Sequence, residues 1–305
     1  MELDKLIIGN AAGTAPGFEG VSRLCMSAAT RITTGPVTLH PRPGNGGQVY
    51  AYNPISRASI NSLGLPSLGL EKLSRYVLPP MIQSCNAARK ELRVSIVGFS
   101  VEEWEALIIG CWESGVRHVE LNFGCPNVWG PEGRKPMPSY DPELAMAIFD
   151  SILATVKYMG GLNVGVKLSP VEDDRILSEL ADVLMASGIV SEVVSSNTIP
   201  DQSLMMDNGS HGLGFTVGGD SSIKNIGGLA GAPLLKRSVL NVGMLRTWLP
   251  QDIRIIGCGG IFSGVDVQKY LHAGVAGFEC ATAYVEQGPR IFSDIVAELI
   301  ELESA

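Results

Sequence analysis

This chain has no long apolar run. Its 305 residues contain no stretch approaching the ~18 consecutive apolar residues of a membrane-spanning helix, so no membrane association is expected. Basic tracts are missing too. Lys and Arg number 23 against 31 Asp and Glu, for a net charge of −8, which speaks against nucleic acid as a partner. The opening Met1-Glu-Leu-Asp-Lys5 lacks the pattern of a secretory signal. The 6 cysteines include no Cys-x-x-Cys, and His40, His118, His211 and His272 form no evident cluster with carboxylates. Neither a metal site nor a disulfide framework is expected, and a reducing cytosol is the predicted compartment. Also absent are a Gly-x-Ser-x-Gly, a paired-carboxylate signature and an early Gly-x-Gly-x-x-Gly.

What the chain does have is glycine and short apolar segments. The 36 glycines are spread along its length, as many tight strand-to-helix turns require. Eight segments read as strands: 6–10, 28–33, 93–98, 118–123, 163–168, 192–196, 253–257 and 277–281. Helical periodicity separates them. In 101–114, Trp104, Leu107, Ile108, Cys111 and Trp112 share a face. Ile176, Leu177, Leu180, Val183 and Leu184 repeat that pattern, and further helices fit 238–248 and 291–303. Eight strands alternating with helices predict an α/β fold, a single (β/α)8 TIM barrel over residues 1–305, with an open doubly wound sheet as the alternative. Two insertions stand out. Segment 35–76 is rich in Pro, Gly and Asn, and 128–141 reads as a mobile lid over the strand ends.

The sharpest chemical signal is Glu120-Leu-Asn-Phe-Gly-Cys-Pro-Asn127. A strand ends at Asn122 and delivers Cys125 into a turn stiffened by Pro126, with Asn127 following. The carboxyl end of a strand is where α/β enzymes place their chemistry. A cysteine there is a candidate nucleophile or general base, although most cysteines merely pack. Lys167 ends the buried run Val164-Gly-Val-Lys167 and is expected to meet an anion or a polar ligand. Asn61, Asn122, Asn127 and Asn197 lie at strand ends or turns. As a set they suit a heterocycle with alternating N–H and C=O groups. Gly227-Gly-Leu-Ala-Gly231 and Gly257-Cys-Gly-Gly260 each precede a helix and read as glycine turns for a phosphate.

Together these motifs resemble the dihydroorotate dehydrogenases, specifically the soluble class 1 flavoenzymes, over nearly the whole chain. Asn10-Ala-Ala-Gly13 resembles the first flavin loop, and Ser59-Ile-Asn-Ser-Leu-Gly-Leu-Pro66 the substrate loop. Leu121–Asn127 is similar to the motif that bears the base, while Val164–Lys167, Gly257–Ile261 and Glu286–Pro289 match further family segments. The resemblance implies a barrel holding FMN. Cys125 would be the base for C5 of dihydroorotate, and Lys167 would stabilise the reduced flavin. Asn61, Asn127, Asn197 and Thr198 would hold the pyrimidine, with Leu63, Gly64 and Leu65 in the substrate loop and Asn122 between substrate and flavin. Gly231, Gly259, Gly260 and Thr282 would surround the phosphate, with Ala12, Gly13, Ser196 and Ala281 also at the cofactor. It further implies a small-molecule substrate and a homodimer.

The chain departs from the pattern at Thr34 or Gly35, where the family carries a lysine that contacts flavin and the orotate carboxylate; no lysine occurs between Lys5 and Lys72. Losing such a contact costs about 1.5–3 kcal/mol. Arg31 and Arg42 would have to redirect to replace it, and a lysine at Thr34 or Gly35 is expected to raise orotate affinity. Smaller departures are Leu63, usually methionine, and Ala281, usually glycine. A flavoenzyme for another small cyclic substrate, or a non-catalytic flavin- or ligand-binding barrel, are the alternative readings.

Overall fold

The alternation of short strands and amphipathic helices closes into a parallel barrel. The computed structural model describes residues 5–130, 133–214, 216–217 and 220–304. Its wall is β1 (Ile7–Asn10), β2 (Arg31–Val37), β3 (Glu91–Ile96), β4 (His118–Asn122), β5 (Asn163–Leu168), β6 (Val190–Ser195), β7 (Arg254–Cys258) and β8 (Gly277–Cys280). β1 pairs in parallel with β8 from Ile7↔Gly277 to Asn10↔Cys280, and with β2 at Gly9↔Arg31. The ring is thus closed, and the open-sheet alternative falls. The connecting helices are α1 (Phe18–Cys25), α2 (Leu78–Ala87), α3 (Val101–Glu113), α4 (Pro142–Met159), α5 (Asp174–Ser187), α6 (Leu235–Trp248), α7 (Gly264–His272) and α8 (Arg290–Ser304). Among the described residues no helix is long and apolar enough to cross a membrane.

Period-2 alternation places the two faces of each strand. Val119 and Leu121 of β4, Val94 and Ile96 of β3, and Phe278 and Cys280 of β8 join the main apolar core with the helices. The starts of α4 and α5 are fixed by side chains: Asp141 accepts from Leu144 N at 2.9 Å, and Asp173 from Arg175 N at 2.9 Å. Branched apolar residues usually fill the inside of such a barrel. Here charged residues occupy much of it. Arg93 Nη1 lies 3.1 Å from Glu279 Oε1 and 3.4 Å from Glu120 Oε2, and Arg31 Nη1 lies 2.7 Å from Glu192 Oε1. Arg93 also pairs with Glu192, and Arg31 with Glu91. Arg31 is therefore held inside the barrel and does not redirect to replace the missing lysine.

Most strand boundaries fall within two residues of the sequence expectation. β2 is the exception, expected at 28–33 and found at Arg31–Val37. Gly35-Pro36 reads as a breaker, yet the strand continues through it with a shift of register between Thr34 and Val37. The larger difference is a four-stranded antiparallel sheet beside the barrel, in the order Ile199–Gln202, Gly227–Gly231, Ala58–Asn61, Tyr50–Asn53. Segment 35–76 thus contributes a hairpin, and Gly227–Gly231 is a strand instead of a turn. Glycine is required there because a Cβ on Gly227 or Gly231 would collide with the carbonyl of Asn61 or Arg57. In the expected lid, Trp129–Gly130 pairs with Gly133–Arg134 and Arg134 pairs with Asp201, while residues 131–132 lie outside the described residues.

Candidate active site

Behind the turn that follows β4 stands an aromatic anchor. Phe123 is buried, 5.5 Å from the ring of Trp104 and 5.6 Å from that of Phe149. Gly124 lets the chain pass close to β5, since a Cβ there would come 2.6 Å from Ser169 Oγ. Cys125 is thereby carried over the strand ends. Asn122 Oδ1 accepts from Gly124 N at 3.2 Å and from Asn197 Nδ2 at 3.0 Å. Asn127 Nδ2 donates to Asn61 Oδ1 at 3.0 Å. The four asparagines of the sequence analysis therefore form two amide pairs. Asn197 Oδ1 also accepts from Thr198 N at 2.8 Å. The buried Thr198 Oγ1 has no hydrogen-bond partner among the described residues, so it is available to a ligand.

These groups border a cavity of about 390 Å³, a size ordinary for a cofactor or small-ligand site. Leu63, Gly64 and Leu65 form one edge. Lys167, Cys258 and Glu279 meet on the floor, with Lys167 Nζ 3.3 Å from Cys258 Sγ and 3.1 Å from Glu279 Oε2. The far end is shaped by Ala12, Gly13 and Ser196, then by Gly231, Gly259 and Gly260, and by Ala281 and Thr282. Gly259 and Gly260 have φ of 120° and 72°, and a Cβ on Gly260 would come 2.5 Å from Leu235 Cβ. Only glycine fits this approach to the start of α6. Ala281 has φ of −109°, so alanine in place of the family's glycine requires no left-handed backbone.

Burial sets the electrostatics. It pushes the half-buried Cys125 thiol up, opposed by a backbone hydrogen bond at Asn127 and by the charges of Lys135 and Arg42. Lys135, on the loop after Cys125, lies 5.7 Å from the centre of the Phe99 ring; burial lowers its pKa while Cys125 and Glu103 raise it. Burial also opposes the charge on Lys167, but Cys258, Glu279 and Glu120 outweigh it and hold the ammonium protonated.

The sequence-predicted site residues thus gather around one cavity, whereas the expectation for Thr34 and Gly35 needs correction. Thr34 is buried with its hydroxyl donating to the Ala15 carbonyl at 2.8 Å. Gly35 has φ of 111°, and any Cβ would collide with the Ser95 carbonyl. Neither position lines the cavity; the next residue, Pro36, does. A lysine at Gly35 is sterically excluded. Arg42 stacks over Phe99 at 4.4 Å. Sequence reasoning missed Tyr50, Cys258 and Glu279 on the cavity wall. Period-2 counting along β7 and β8 could have found the last two, because Cys258 and Glu279 fall on the faces opposite Ile255 and Phe278.

A family model described as dihydroorotate dehydrogenase matches residues 5–302. A dihydroorotate dehydrogenase (fumarate) from Trypanosoma cruzi is 33% identical over 303 residues, covering 96% of this chain and 88% of that protein. Dihydroorotate dehydrogenase A (fumarate) from Lactococcus lactis is 32% identical, covering 96% of this chain and 89% of that protein. The crystal structure of the Eimeria tenella dihydroorotate dehydrogenase in complex with ferulenol superposes with a TM-score of 0.79 at 21% identity, covering 98% of this chain and 81% of that one, and supports the fold alone. With a matching model across almost its whole length and relatives above 30% identity, this chain belongs to the dihydroorotate dehydrogenase family.

Proposed function

We propose that this protein oxidises (S)-dihydroorotate to orotate, with FMN as cofactor and fumarate as the final oxidant. The single observation that carries this reading is the placement of the Cys125 thiol, two amide pairs and a protonated lysine around one cavity with a glycine-walled end. FMN is the cofactor of this family. The residues present fit it: main-chain N–H groups near Gly259 and Gly260, at the start of α6, suit a phosphate. Ser59 Oγ and Thr282 Oγ1, 2.7 Å apart, add hydroxyls at the same end. Lys167 on the floor would meet the electron-rich edge of the flavin ring. Bound FMN supplies the acceptor for the hydride that leaves C6.

The chain's own residues do the rest. Cys125 Sγ, as thiolate, takes the proton from C5 and later releases it to solvent. Asn61, Asn122, Asn127 and Asn197 are fixed by their mutual bonds, so their remaining donors and acceptors are pre-oriented for a pyrimidine's alternating N–H and C=O groups. Thr198 Oγ1 offers a further hydroxyl. Leu65, Val97 and Val128 pack against Cys125 and shield the thiol from water, while Leu63 lines the cavity. Electrons and protons balance: two hydrogens leave dihydroorotate, and fumarate gains two to become succinate. The fumarate assignment follows the names of the relatives. A cytosolic homodimer completes the proposal and is checked by light scattering after gel filtration.

The decisive experiment is anaerobic mixing of the FMN-loaded protein with L-dihydroorotate. Wild type is expected to bleach the flavin, and Cys125→Ala to keep FMN while losing about 10²–10⁴-fold in rate, the usual worth of a general base. Unchanged reduction in Cys125→Ala would remove the thiol from the reaction. A wild type that binds FMN yet stays oxidised would favour a different cyclic substrate.

A further inference from the structure

One carboxylate on the cavity floor has no part in the chemistry above. Glu279, the third residue of β8, has 0% exposure and yet borders the cavity. Its Oε2 lies 3.1 Å from Lys167 Nζ, and its Oε1 lies 3.1 Å from Arg93 Nη1. The lysine on the floor is therefore not a bare cation, because half of its polar contact is to an acid. Arg93 grips that acid from the other side and fixes its direction. Arg93 in turn meets Glu120 at 3.4 Å and pairs with Glu192, which Arg31 holds at 2.7 Å. Lys167, Arg93 and Arg31 thus interleave with Glu279, Glu120 and Glu192, and all six are buried. The set ends at the cavity on the Lys167–Glu279 pair.

We infer that Glu279 is a positioning residue that sets the reduction potential of the bound flavin by partly neutralising Lys167. This rests on the reading that FMN occupies the cavity with Lys167 beside its ring. A cation there favours the reduced, more electron-rich form. A carboxylate in contact with the cation opposes that preference, and the low dielectric of the barrel interior amplifies the effect. Glu279 thus makes the flavin a weaker oxidant than the lysine alone would, and Arg93 keeps the carboxylate on Lys167.

The test measures midpoint potentials of the FMN-loaded protein by anaerobic equilibration with reference dyes. Four forms are compared: wild type, Glu279→Gln, Lys167→Gln and the double variant. Glu279→Gln is expected to shift the balance toward reduced flavin about tenfold, a positive shift of ~30 mV for a two-electron couple. Lys167→Gln should move the potential the other way. In the Lys167→Gln background the Glu279→Gln shift should keep its sign, because Arg93 still holds the carboxylate charged and its field reaches the flavin with or without the lysine. An unchanged or lowered potential in Glu279→Gln, or a Glu279→Gln shift that changes sign without Lys167, overturns the inference. Should Glu279→Gln fail to fold, Glu279→Asp withdraws the charge by one methylene and should give a smaller positive shift; no shift overturns the inference equally. Wild-type protein that holds no flavin overturns the flavin reading itself, and that outcome is seen before any potential is measured.

Discussion

Cys125 is useful as a base only when ionised, and its surroundings pull in opposite directions. Burial raises its pKa, while the Asn127 backbone and the charges of Lys135 and Arg42 lower it. The net shift is upward, so flavin reduction by dihydroorotate should rise with pH and level off only above the ordinary thiol value of about 8.5. Lys135→Met removes one of the charges that favour the thiolate. Its pH–rate profile should move further alkaline, with the plateau rate little changed, as stopped-flow reduction over a pH series would show. A profile that stays in place would mean that Lys135 does not act on the thiol. Lys167 shows that burial alone does not decide a protonation state: desolvation opposes its charge, yet its neighbours keep it protonated.

At the scale of elements, the site depends on places where backbones meet closely. Gly260, with φ of 72° and its Cβ position 2.5 Å from Leu235 Cβ, lets the β7 loop lie against the start of α6. Gly260→Ala must either strain the loop or move the helix. The expected result is a roughly tenfold loss of FMN affinity, from a backbone cost of about 1–2 kcal/mol, in a fluorescence titration. Fluorescence quenching that matches wild type would place the phosphate elsewhere. The four-stranded sheet works on the same principle. Gly227–Gly231 pairs with Ala58–Asn61, which carries Asn61 to the cavity and its bond from Asn127.

Across the whole molecule, the ionic barrel interior links stability to pH. Removing one member of a buried charged network typically costs about 3–5 kcal/mol, because its partners are left uncompensated. Arg93→Met removes a partner of Glu279, Glu120 and Glu192 at once and should destabilise by at least that amount in chemical denaturation. The rim of the same network predicts acid sensitivity. At His118, burial lowers the pKa more than Glu91 raises it, so the folded state resists protonation there. At Glu91, burial raises the pKa, but Arg31 and His118 outweigh it and hold it below its ordinary value. Both groups bind protons more readily when unfolded, so their stabilisation should fade as pH falls, beginning below about 6.5 for His118 and below about 4.3 for Glu91. Melting temperature measured across that range should fall toward acid; a flat profile would mean the rim is uncoupled from folding.

The sequence by itself determined the eight-strand plan, the turn bearing Cys125, the buried Lys167 and the asparagines that line the site. These follow from local causes: period-2 and period-3.6 patterning, strand-end position and turn chemistry. Only the tertiary structure decided three other things. It made a strand of Gly227–Gly231, because that choice depends on a distant backbone arriving alongside it. It moved the lysine question off Thr34 and Gly35, because the Thr34 hydroxyl is engaged by the Ala15 carbonyl and Gly35 lies hard against the Ser95 carbonyl, away from the cavity. And it joined Arg31, Arg93, Glu120, Glu192 and Glu279 into one network, because residues as far apart as Arg93 and Glu279 meet only when β1 and β8 close the barrel. No local pattern encodes a contact across 186 residues of chain.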